Sequence, residues 1–336
     1  MEREKILFLY PMNLKEGQPA KERIDSFIEF YKEKNFEIYI WDIPSSIIEK
    51  FRLIYFLYKK RINYIFLSMP PFRNWFIFGL PFIGVILDIR DGWSIAMESG
   101  YGGTVKPKKI KAFISRMIER FAIKKSKLTI TCTPGLQKYL KELSSREIIL
   151  IINGYRKKDY EIVQKLKSNL NLEEKSYSFD IAVVAGKFSE YGEDKVKKVL
   201  NKINSMNKKI IIKLIGVDIS KNRWVLEYVK KEHLNNIKIE ILSRLNKEKL
   251  YEQILKSNFG ITIVRDPSYD LGTKVFDYIL CEKPIYNYFE EDNEFTNFFK
   301  KQLTSSSEKD FGVQFMREYN LEKNKDLLLT LGVKCI

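Results

Sequence analysis

Short apolar runs alternate with amphipathic segments in two successive parts of the chain, and this alternation is the strongest constraint on the fold. In the first part, the apolar runs lie at 6–10, 36–41, 64–67, 82–89, 128–132 and 148–152, and the helical patterns lie at 19–34, 45–58 and 106–125, with another from Pro134. In the second part, the apolar runs lie at 180–184, 210–215, 237–242, 260–264 and 284–288, and the helical patterns lie near 194–203, 223–231, 247–256 and 273–281. Strand–helix repeats of this size predict α/β domains, each with a parallel sheet covered by helices on both faces.

The length of the chain also fits two domains. Its 336 residues are too many for one ordinary core and suit two domains of roughly 150 residues each. The polar, aperiodic stretch 169–178 is the predicted linker. We therefore predict two Rossmann-like doubly wound domains at 1–168 and 179–310, followed by a C-terminal helix within 311–336 that packs back on the first domain. Two such sheets would face a central cleft formed at the carboxyl ends of their strands, where these folds bind ligands.

Cysteine usage and the chain start predict a cytoplasmic protein. Cys132, Cys281 and Cys335 are odd in number and scattered, which argues against a disulfide framework and against a zinc site. The first residues alternate charges and run into an apolar strand, unlike a signal peptide. The longest apolar run, 75–87, has 13 residues and is short of the roughly 20 needed to span a bilayer.

The net charge is +16 and is concentrated in the first domain, where residues 51–140 hold 16 Lys or Arg against 4 Asp or Glu. Such a field attracts the phosphates of nucleic acid, of anionic lipids or of a pyrophosphate-bearing substrate. In the basic segment 107–127, Ile110, Phe113, Ile114, Met117 and Phe121 have helical spacing. This spacing fits a helix packed on the core first, and it also suits an anionic membrane surface. With the basic stretch 56–61, it predicts a peripheral enzyme at the inner face of the cell membrane.

The segment 260–288 holds the clearest candidate site. It is predicted as a strand, a polar loop with Pro267 and Gly272, a helix that opens at Thr273, and a second strand. Backbone N–H groups around Gly272, Thr273 and Lys274 would favour a diphosphate. Asp277, one turn further, would accept hydrogen bonds from vicinal hydroxyls such as those of a ribose. From spacing alone, a plain helix start with Asp277 on a solvated face is equally possible.

The run LGTKVFDYILCEKPIYNY at 271–288 resembles the donor-site segment of GT-B glycosyltransferases similar to glycosyltransferase family 4. In that family, a small-residue loop leads into Lys-x-x-Glu-Tyr and later Gly-Lys-Pro. IINGY at 151–155, TITCTPGLQKYL at 129–140, VAGKFSEYG at 184–192 and DIRDGW at 88–93 resemble further segments of these enzymes in the same order. The resemblance implies a GT-B fold with acceptor binding in the first domain and nucleotide-sugar binding in the second.

The resemblance also implies a set of donor-binding residues. Asp277 occupies the acidic position that grips the nucleotide ribose, and Lys187 occupies a basic position that faces the donor diphosphate. Tyr269 stands where a second acidic residue is common, with Asp270 one step late. The donor-binding set is Gly186, Lys187, Arg244, Arg265, Tyr269, Gly272, Thr273, Lys274 and Asp277.

The expected chemistry needs no metal ion and no cofactor. The chain has no D-x-D pair and no Cys/His cluster, so Lys187 and Lys274 would neutralise the departing nucleoside diphosphate. A second basic residue expected after Lys187 would have to be replaced by Tyr191 or Lys195. Asp91 is the candidate for orienting or deprotonating the acceptor hydroxyl, although a turn or a salt bridge with Arg90 explains it equally well.

The predicted activity is a hexosyltransferase-like reaction. A sugar would pass from a nucleotide-sugar to a glycan or lipid-linked saccharide, with retained anomeric configuration, in the biosynthesis of cell-surface polysaccharide or glycoconjugate. The alternatives are a non-catalytic partner subunit with the same fold, a nucleic-acid-binding protein and, as the weakest, a sugar-nucleotide epimerase. No zinc, RNP or other recognition motif occurs, so no nucleic-acid partner is expected. The sole histidine, His233, is predicted to be a surface residue.

Overall fold

The computed structural model describes residues 3–69, 72–103, 106–170, 179–206 and 208–330, and the chain forms two compact units. Of these residues, the first unit takes 3–100, 106–153 and 317–330, and the second takes 101–103 and 154–316. The chain therefore passes from the first unit to the second after Asn153 and returns after Met316. Most of the predicted linker, 171–178, lies outside the described residues.

The first unit contains a six-stranded parallel sheet with the strand order β2-β1-β3-β4-β5-β6. Its strands are β1 (Lys5–Leu9), β2 (Glu37–Trp41), β3 (Tyr64–Met69), β4 (Gly84–Ile89), β5 (Leu128–Thr131) and β6 (Ile149–Leu150). The central strands are buried on both faces, as a parallel sheet with helices on both sides requires. All six apolar runs of the first series are confirmed as strands.

Five α-helices and a 3₁₀ helix connect these strands. They are α1 (Pro19–Glu33), α2 (Ile47–Lys60), the 3₁₀ helix Phe72–Gly79, α3 (Trp93–Gly103), α4 (Lys109–Lys125) and α5 (Pro134–Ser144). Local sequence sets their ends. At α2, Ser46 and Glu49 form a reciprocal capping box, and Arg61 ends the helix in the left-handed region with φ 51°. At α5, the Thr133 hydroxyl accepts from Leu136 N–H and Pro134 occupies the first turn.

The strand order decides which face of the sheet each connection covers. The step from β1 to β2 runs across the sheet in the opposite direction to every later step. Since such crossovers are right-handed, α1 covers one face, whereas α2, the 3₁₀ helix, α4 and α5 cover the other. The α1 face holds a buried cluster in which Phe27 and Tyr31 pack with Phe8 and Phe66.

The second unit contains a four-stranded parallel sheet with the order β10-β7-β8-β9. Its strands are β7 (Phe179–Ala185), β8 (Lys209–Ile215), β9 (Ile237–Leu242) and β10 (Phe259–Gly260). Its helices are α6 (Lys157–Asn169), α7 (Glu193–Asn204), α8 (Ile219–Lys231), α9 (Lys247–Leu255), α10 (Val275–Leu280) and α11 (Glu294–Phe298). His233 is exposed just after α8, as predicted.

Two predicted strands of this unit are shorter than expected. The run 260–264 pairs with β7 only as far as Gly260, and the run 284–288 contributes two isolated bridges, from Ile285 to Gly260 and from Ile285 to Leu303. The helix predicted at 273–281 begins at Val275, with Lys274 as its N-cap residue. The early end of β10 has its cause in the hydroxyl of Tyr278, described with the candidate site below.

Two short C-terminal helices complete the first unit by packing on α1. They are α12 (Arg317–Lys323) and α13 (Lys325–Leu329). The Tyr31 hydroxyl donates to Leu328 O at 3.3 Å, and Arg317 Nη1 donates to Glu22 O at 2.8 Å. Leu321 and Leu328 are buried in the α1 cluster. The last described residues therefore belong to the core built by the first 153.

Candidate functional site

The strand order of the second sheet has one point where its direction reverses, between β7 and β10. From β7 the chain steps to β8 and β9 on one side, and then returns to β10 on the other. Open parallel sheets bind ligands at such a reversal, beyond the carboxyl ends of the strands. Gly186 and Lys187 directly follow β7, and Arg265 follows the chain that continues from β10. The fold therefore brings these three predicted residues to the position where a ligand is expected.

Tyr278 separates the two strands at this reversal. Its buried hydroxyl accepts from Ala185 N–H at 2.9 Å and donates to Ile261 O at 3.0 Å. In the register of β7 and β10, Ala185 N–H to Ile261 O would be the next ladder hydrogen bond. The hydroxyl stands between these two groups and ends β10. Gly260 leaves room for the ring, since a Cβ there would lie 2.3 Å from Tyr278 Cγ.

The turn after β7 carries an exposed lysine beside a glycine. Gly186 has φ 85°, in the left-handed region that favours glycine. Lys187 Nζ lies 3.3 Å from the Tyr191 hydroxyl and 5.1 Å from the centre of its ring. A Cβ on Gly186 would lie 3.9 Å from Lys274 Cγ. The turn after β7 and the start of α10 are therefore neighbours, as the donor-site prediction requires.

The loop 265–272 is organised by Asp270. Its carboxylate accepts from Arg265 Nε at 3.2 Å and from Gly272 N–H at 3.0 Å. Gly272 has φ 69°, and a Cβ there would lie 2.8 Å from Thr262 Cγ2. Tyr269 lies in the turn, with its N–H donating to Asp266 O at 3.1 Å. The Gly272 N–H that was predicted to bind phosphate thus donates to the Asp270 carboxylate in this structure.

Lys274 and Asp277 form an ion pair, with 3.0 Å between Nζ and Oδ2. The Asp277 side chain is mostly buried, while that of Lys274 is more exposed. Thr273 is partly buried between Gly272 and Lys274. The residues predicted to hold the ribose and the phosphate therefore lie side by side and hold each other in this structure.

Arg244 lies at the same edge, beyond β9. Gly216, which follows β8 with φ 68°, donates its N–H to Leu242 O at 3.0 Å, and a Cβ on it would lie 3.4 Å from Arg244 Cα. The sequence analysis did not single out Gly216. A signal was present, because β7 and β8 each end one residue before a glycine. Together, the carboxyl edge carries four cationic side chains: Lys187, Arg244, Arg265 and Lys274.

Lys195 has a structural role that limits it as a substitute for the missing basic residue. Its ammonium donates to Val264 O at 2.9 Å and to Arg265 O. Burial lowers the pKa of Lys195 below its ordinary value. Both carbonyls lie where the chain that continues from β10 enters the loop 265–272. Lys195 therefore holds the backbone at Arg265 in place.

A cavity of about 340 Å³ adjoins this loop on the side of Lys195 and Val264. Lys198 in its wall is paired with Glu290 at 2.8 Å. The rest of its wall is Pro267, Tyr288, Phe289, Glu291, Asp292 and Asn293. Its acidic residues and engaged lysines make it a poor match for a diphosphate.

In the first unit, Asp88 and Asp91 have different surroundings. Asp88 is fully buried against Arg23, with 2.8 Å between Oδ1 and Nη2. Asp91 is partly exposed, after β4 and two residues before α3. The first N–H groups of α3, on Trp93 and Ser94, donate to Glu119 Oε1 at 2.8 and 3.2 Å. Of the two aspartates, Asp91 is the one with access to solvent.

Solved structures with a similar fold include glycosyltransferases. HepE of Anabaena, solved in complex with UDP, is similar over 97% of this chain and 92% of its own, with 12% identity and a TM-score of 0.57. Sucrose-phosphate synthase of Thermosynechococcus elongatus is similar over 98% and 92%, with 11% identity and a TM-score of 0.61. A glycosyltransferase of Rickettsia africae is similar over 99% and 90%, with 13% identity and a TM-score of 0.54.

The chain has the GT-B fold. Its two parallel-sheet α/β domains match these structures over almost their whole length. No protein-family model matches the chain, and no curated protein matches it. At 11–13% identity the likeness concerns the fold, so membership of glycosyltransferase family 4 stays a prediction.

Neither a metal-binding group nor a membrane-spanning helix occurs in the described part of the chain. Across 3–69, 72–103, 106–170, 179–206 and 208–330, no group of three or more His, Cys, Asp or Glu side chains is placed to hold a metal ion. Within the same ranges, every helix is too short or too polar to cross a bilayer.

Proposed function

We propose that this GT-B chain is a glycosyltransferase that takes a sugar from a nucleotide-sugar donor. The observation that carries the proposal is the set of four cationic side chains at the carboxyl edge of the second sheet, of which Arg265 and Lys274 are paired with Asp270 and Asp277. A nucleoside diphosphate carries its negative charge on two adjacent phosphates, and fixed cations at a sheet edge complement such a group. HepE, which has the same fold, was solved with UDP.

In the proposed donor site, basic residues bind the diphosphate and an acidic residue binds the ribose. Lys187 and Lys274 face the diphosphate, with Gly186 permitting close approach of the backbone between them. Arg244 and Arg265 flank this position, together with Tyr269, Gly272 and Thr273. Asp277 accepts hydrogen bonds from the ribose hydroxyls. Donor binding exchanges the Lys274–Asp277 ion pair for one contact with phosphate and one with ribose.

The reaction is a transfer at the anomeric carbon. The acceptor oxygen forms a bond to this carbon, and the bond from the carbon to the diphosphate oxygen breaks, so that the electron pair leaves with the nucleoside diphosphate. Lys187 and Lys274 stabilise the charge that develops on the leaving oxygen without a metal ion. Asp91 orients the acceptor hydroxyl and accepts its proton. In this proposal the acceptor oxygen attacks the face of the anomeric carbon that the diphosphate leaves, so the transfer retains the anomeric configuration.

The acceptor is a glycan or a lipid-linked saccharide, used in cell-surface polysaccharide or glycoconjugate biosynthesis on the cytoplasmic side of the membrane. The basic surface of the first unit supports this choice, because 16 Lys or Arg against 4 Asp or Glu lie between residues 51 and 140. Such a surface favours an acceptor presented among anionic headgroups.

Calorimetric titration with UDP, ADP and GDP and their glucose conjugates tests the donor site. We expect one nucleotide to bind, and we expect Asp277→Ala to weaken its binding by about 10- to 100-fold through loss of hydrogen bonds to a charged group. Lys187→Ala should weaken binding by about tenfold, because it removes a charge facing the diphosphate. Glu227→Ala and Lys230→Ala, at exposed positions of α8, are the matched controls. Unchanged affinity in Asp277→Ala would refute the assignment.

The role of Asp91 is tested by turnover, once a donor and an acceptor are known. Asp91→Asn keeps the size of the side chain and removes its ability to take a proton. We expect a loss of about 10²- to 10⁴-fold in kcat with donor affinity retained. Turnover near that of the unchanged chain would show that another group accepts the proton.

A further inference from the structure

The helix α4 exposes the apolar residues that its sequence suggests it should bury. Ile110, Phe113, Ile114, Met117 and Phe121 are 40–77% exposed. The side of α4 that packs inward carries Ala112, Ser115, Glu119, Ala122 and Ile123. These mostly small side chains let α4 lie close to its neighbours, so the interpretation of 107–127 as a helix that buries its large apolar stripe is wrong.

The neighbouring α2 repeats this arrangement. Only Leu53 and Leu57 of α2 are buried. Its outward side carries a second apolar stripe, formed by Ile47, Ile48, Phe51, Tyr55 and Tyr58. These residues recur at helical spacing, so they form one continuous face along the helix.

The 3₁₀ helix Phe72–Gly79 joins the two stripes. Lys50 Nζ of α2 lies 5.4 Å from the centre of the Phe76 ring, and the Phe78 and Phe121 rings are 6.5 Å apart. Trp75 of this 3₁₀ helix is 58% exposed. Of the twenty exposed large apolar side chains in the described part of the chain, eleven lie on α2, the 3₁₀ helix and α4. We call this face of the first unit the α2–α4 surface.

The charge of the α2–α4 surface is strongly positive. The two helices carry ten basic residues: Lys50, Arg52, Lys59, Lys60, Lys109, Lys111, Arg116, Arg120, Lys124 and Lys125. Their two acidic residues are not free counter-charges, since Glu49 belongs to the capping box of α2 and Glu119 is buried against α3. Apolar side chains at the centre of a basic face match a bilayer whose headgroups are negative and whose interior is apolar.

We propose that the α2–α4 surface binds an anionic membrane by inserting its apolar side chains below the headgroups. The inference deepens the proposed function, because it names the surface that would bring the enzyme to a lipid-linked acceptor, and it rests on that function for its purpose. A second copy of the chain fits poorly, since it would set two basic faces against each other. Nucleic acid would leave the exposed aliphatic side chains in water.

Vesicle flotation without donor or acceptor tests the surface separately from transfer. The probes are phosphatidylcholine vesicles with and without phosphatidylglycerol. We expect binding to the anionic vesicles only, weakened by salt. The double change Phe113→Gln with Met117→Gln should lower the partition coefficient by about 100-fold, at about tenfold for each inserted side chain. Ile219→Gln with Leu226→Gln, at exposed apolar positions of α8, is the matched control and should bind like the unchanged chain.

Tryptophan fluorescence gives a second, site-specific measurement. Insertion should move the Trp75 emission to shorter wavelength on addition of anionic vesicles, and Trp75→Phe should remove most of that change. The proposal is overturned if the full chain fails to bind anionic vesicles, or if the α8 pair lowers binding as much as the α4 pair. It is also overturned if the α4 pair abolishes self-association rather than vesicle binding. Failure here with normal nucleotide binding would leave the donor site intact.

Discussion

Replacing Tyr278 by Phe removes one oxygen atom from the place where β7 and β10 separate. That oxygen bonds to Ala185 N–H and Ile261 O, and both groups are buried. An unsatisfied buried backbone group costs about 1–3 kcal/mol, so the two together set an upper limit of about 6 kcal/mol. Partial closure of the strands onto each other would recover part of this loss. We therefore expect the free energy of unfolding of the second unit to fall by about 2–4 kcal/mol.

Urea denaturation followed by tryptophan fluorescence measures this effect, because Trp224 is the only tryptophan between residues 154 and 316. Burial raises the pKa of Tyr278, so its hydroxyl keeps its proton across the neutral range. Tyr228→Phe is the control, since its hydroxyl bonds to Asn201 at an exposed position where water can replace it. A loss below about 0.5 kcal/mol in Tyr278→Phe would show that the hydroxyl does not hold the strands at this separation.

Three further changes test the packing of each unit by urea denaturation. Gly260→Ala should cost about 1–3 kcal/mol, because the new Cβ would meet the Tyr278 ring. Arg23→Leu should cost about 3–5 kcal/mol, since it leaves Asp88 buried and unpaired, and adding Asp88→Leu should recover part of the loss. Burial raises the pKa of Glu119, so the stability it contributes is complete at acidic pH and declines as pH rises. The difference in stability between the unchanged chain and Glu119→Gln should therefore shrink as pH rises above about 4.3, the ordinary pKa of a glutamate.

The sheets could be predicted from sequence because buried parallel strands are apolar along their whole length. Every run of the first series became a strand, and the order of the two series gave two domains. The end of β10 could not be predicted in the same way. The run 261–264 is buried and apolar except for Thr262, yet its pairing stops because of a hydroxyl seventeen residues away at Tyr278. The hydrophobic pattern of a sequence predicts which segments are buried. It does not predict which backbone groups will form hydrogen bonds with a distant side chain.

The orientation of α4 shows a second limit of periodicity. The spacing of Phe113 and Met117 correctly indicates a helix with one apolar face. Which face turns inward depends on how closely the neighbouring elements approach, and here small residues such as Ala112 and Ala122 fill the narrow space. The distance between α4 and its neighbouring elements cannot be predicted from residue types alone.

The candidate site was predictable in its residue types and less so in its pairings. A motif in one stretch of chain, 271–288, indicates the basic position 274 and the acidic position 277. The end of a predicted strand indicates the basic position 187. The Lys274–Asp277 ion pair and the bond between Asp270 and Gly272 N–H depend on side-chain rotamers. These pairings determine which groups a ligand must displace.

The return of the chain to the first unit after Met316 has a consequence for genetic dissection. Residues 154–316 are continuous, and a bridge between Tyr155 and Met316 holds their ends together. We expect a fragment of this length to fold when expressed alone. A chain stopped at Asn153 would instead lack α12 and α13 and expose the α1 side of its core. To fold, this truncated chain would need residues 317–330 supplied as a separate peptide. A circularly permuted gene that places residues 317–330 before β1 would serve the same purpose.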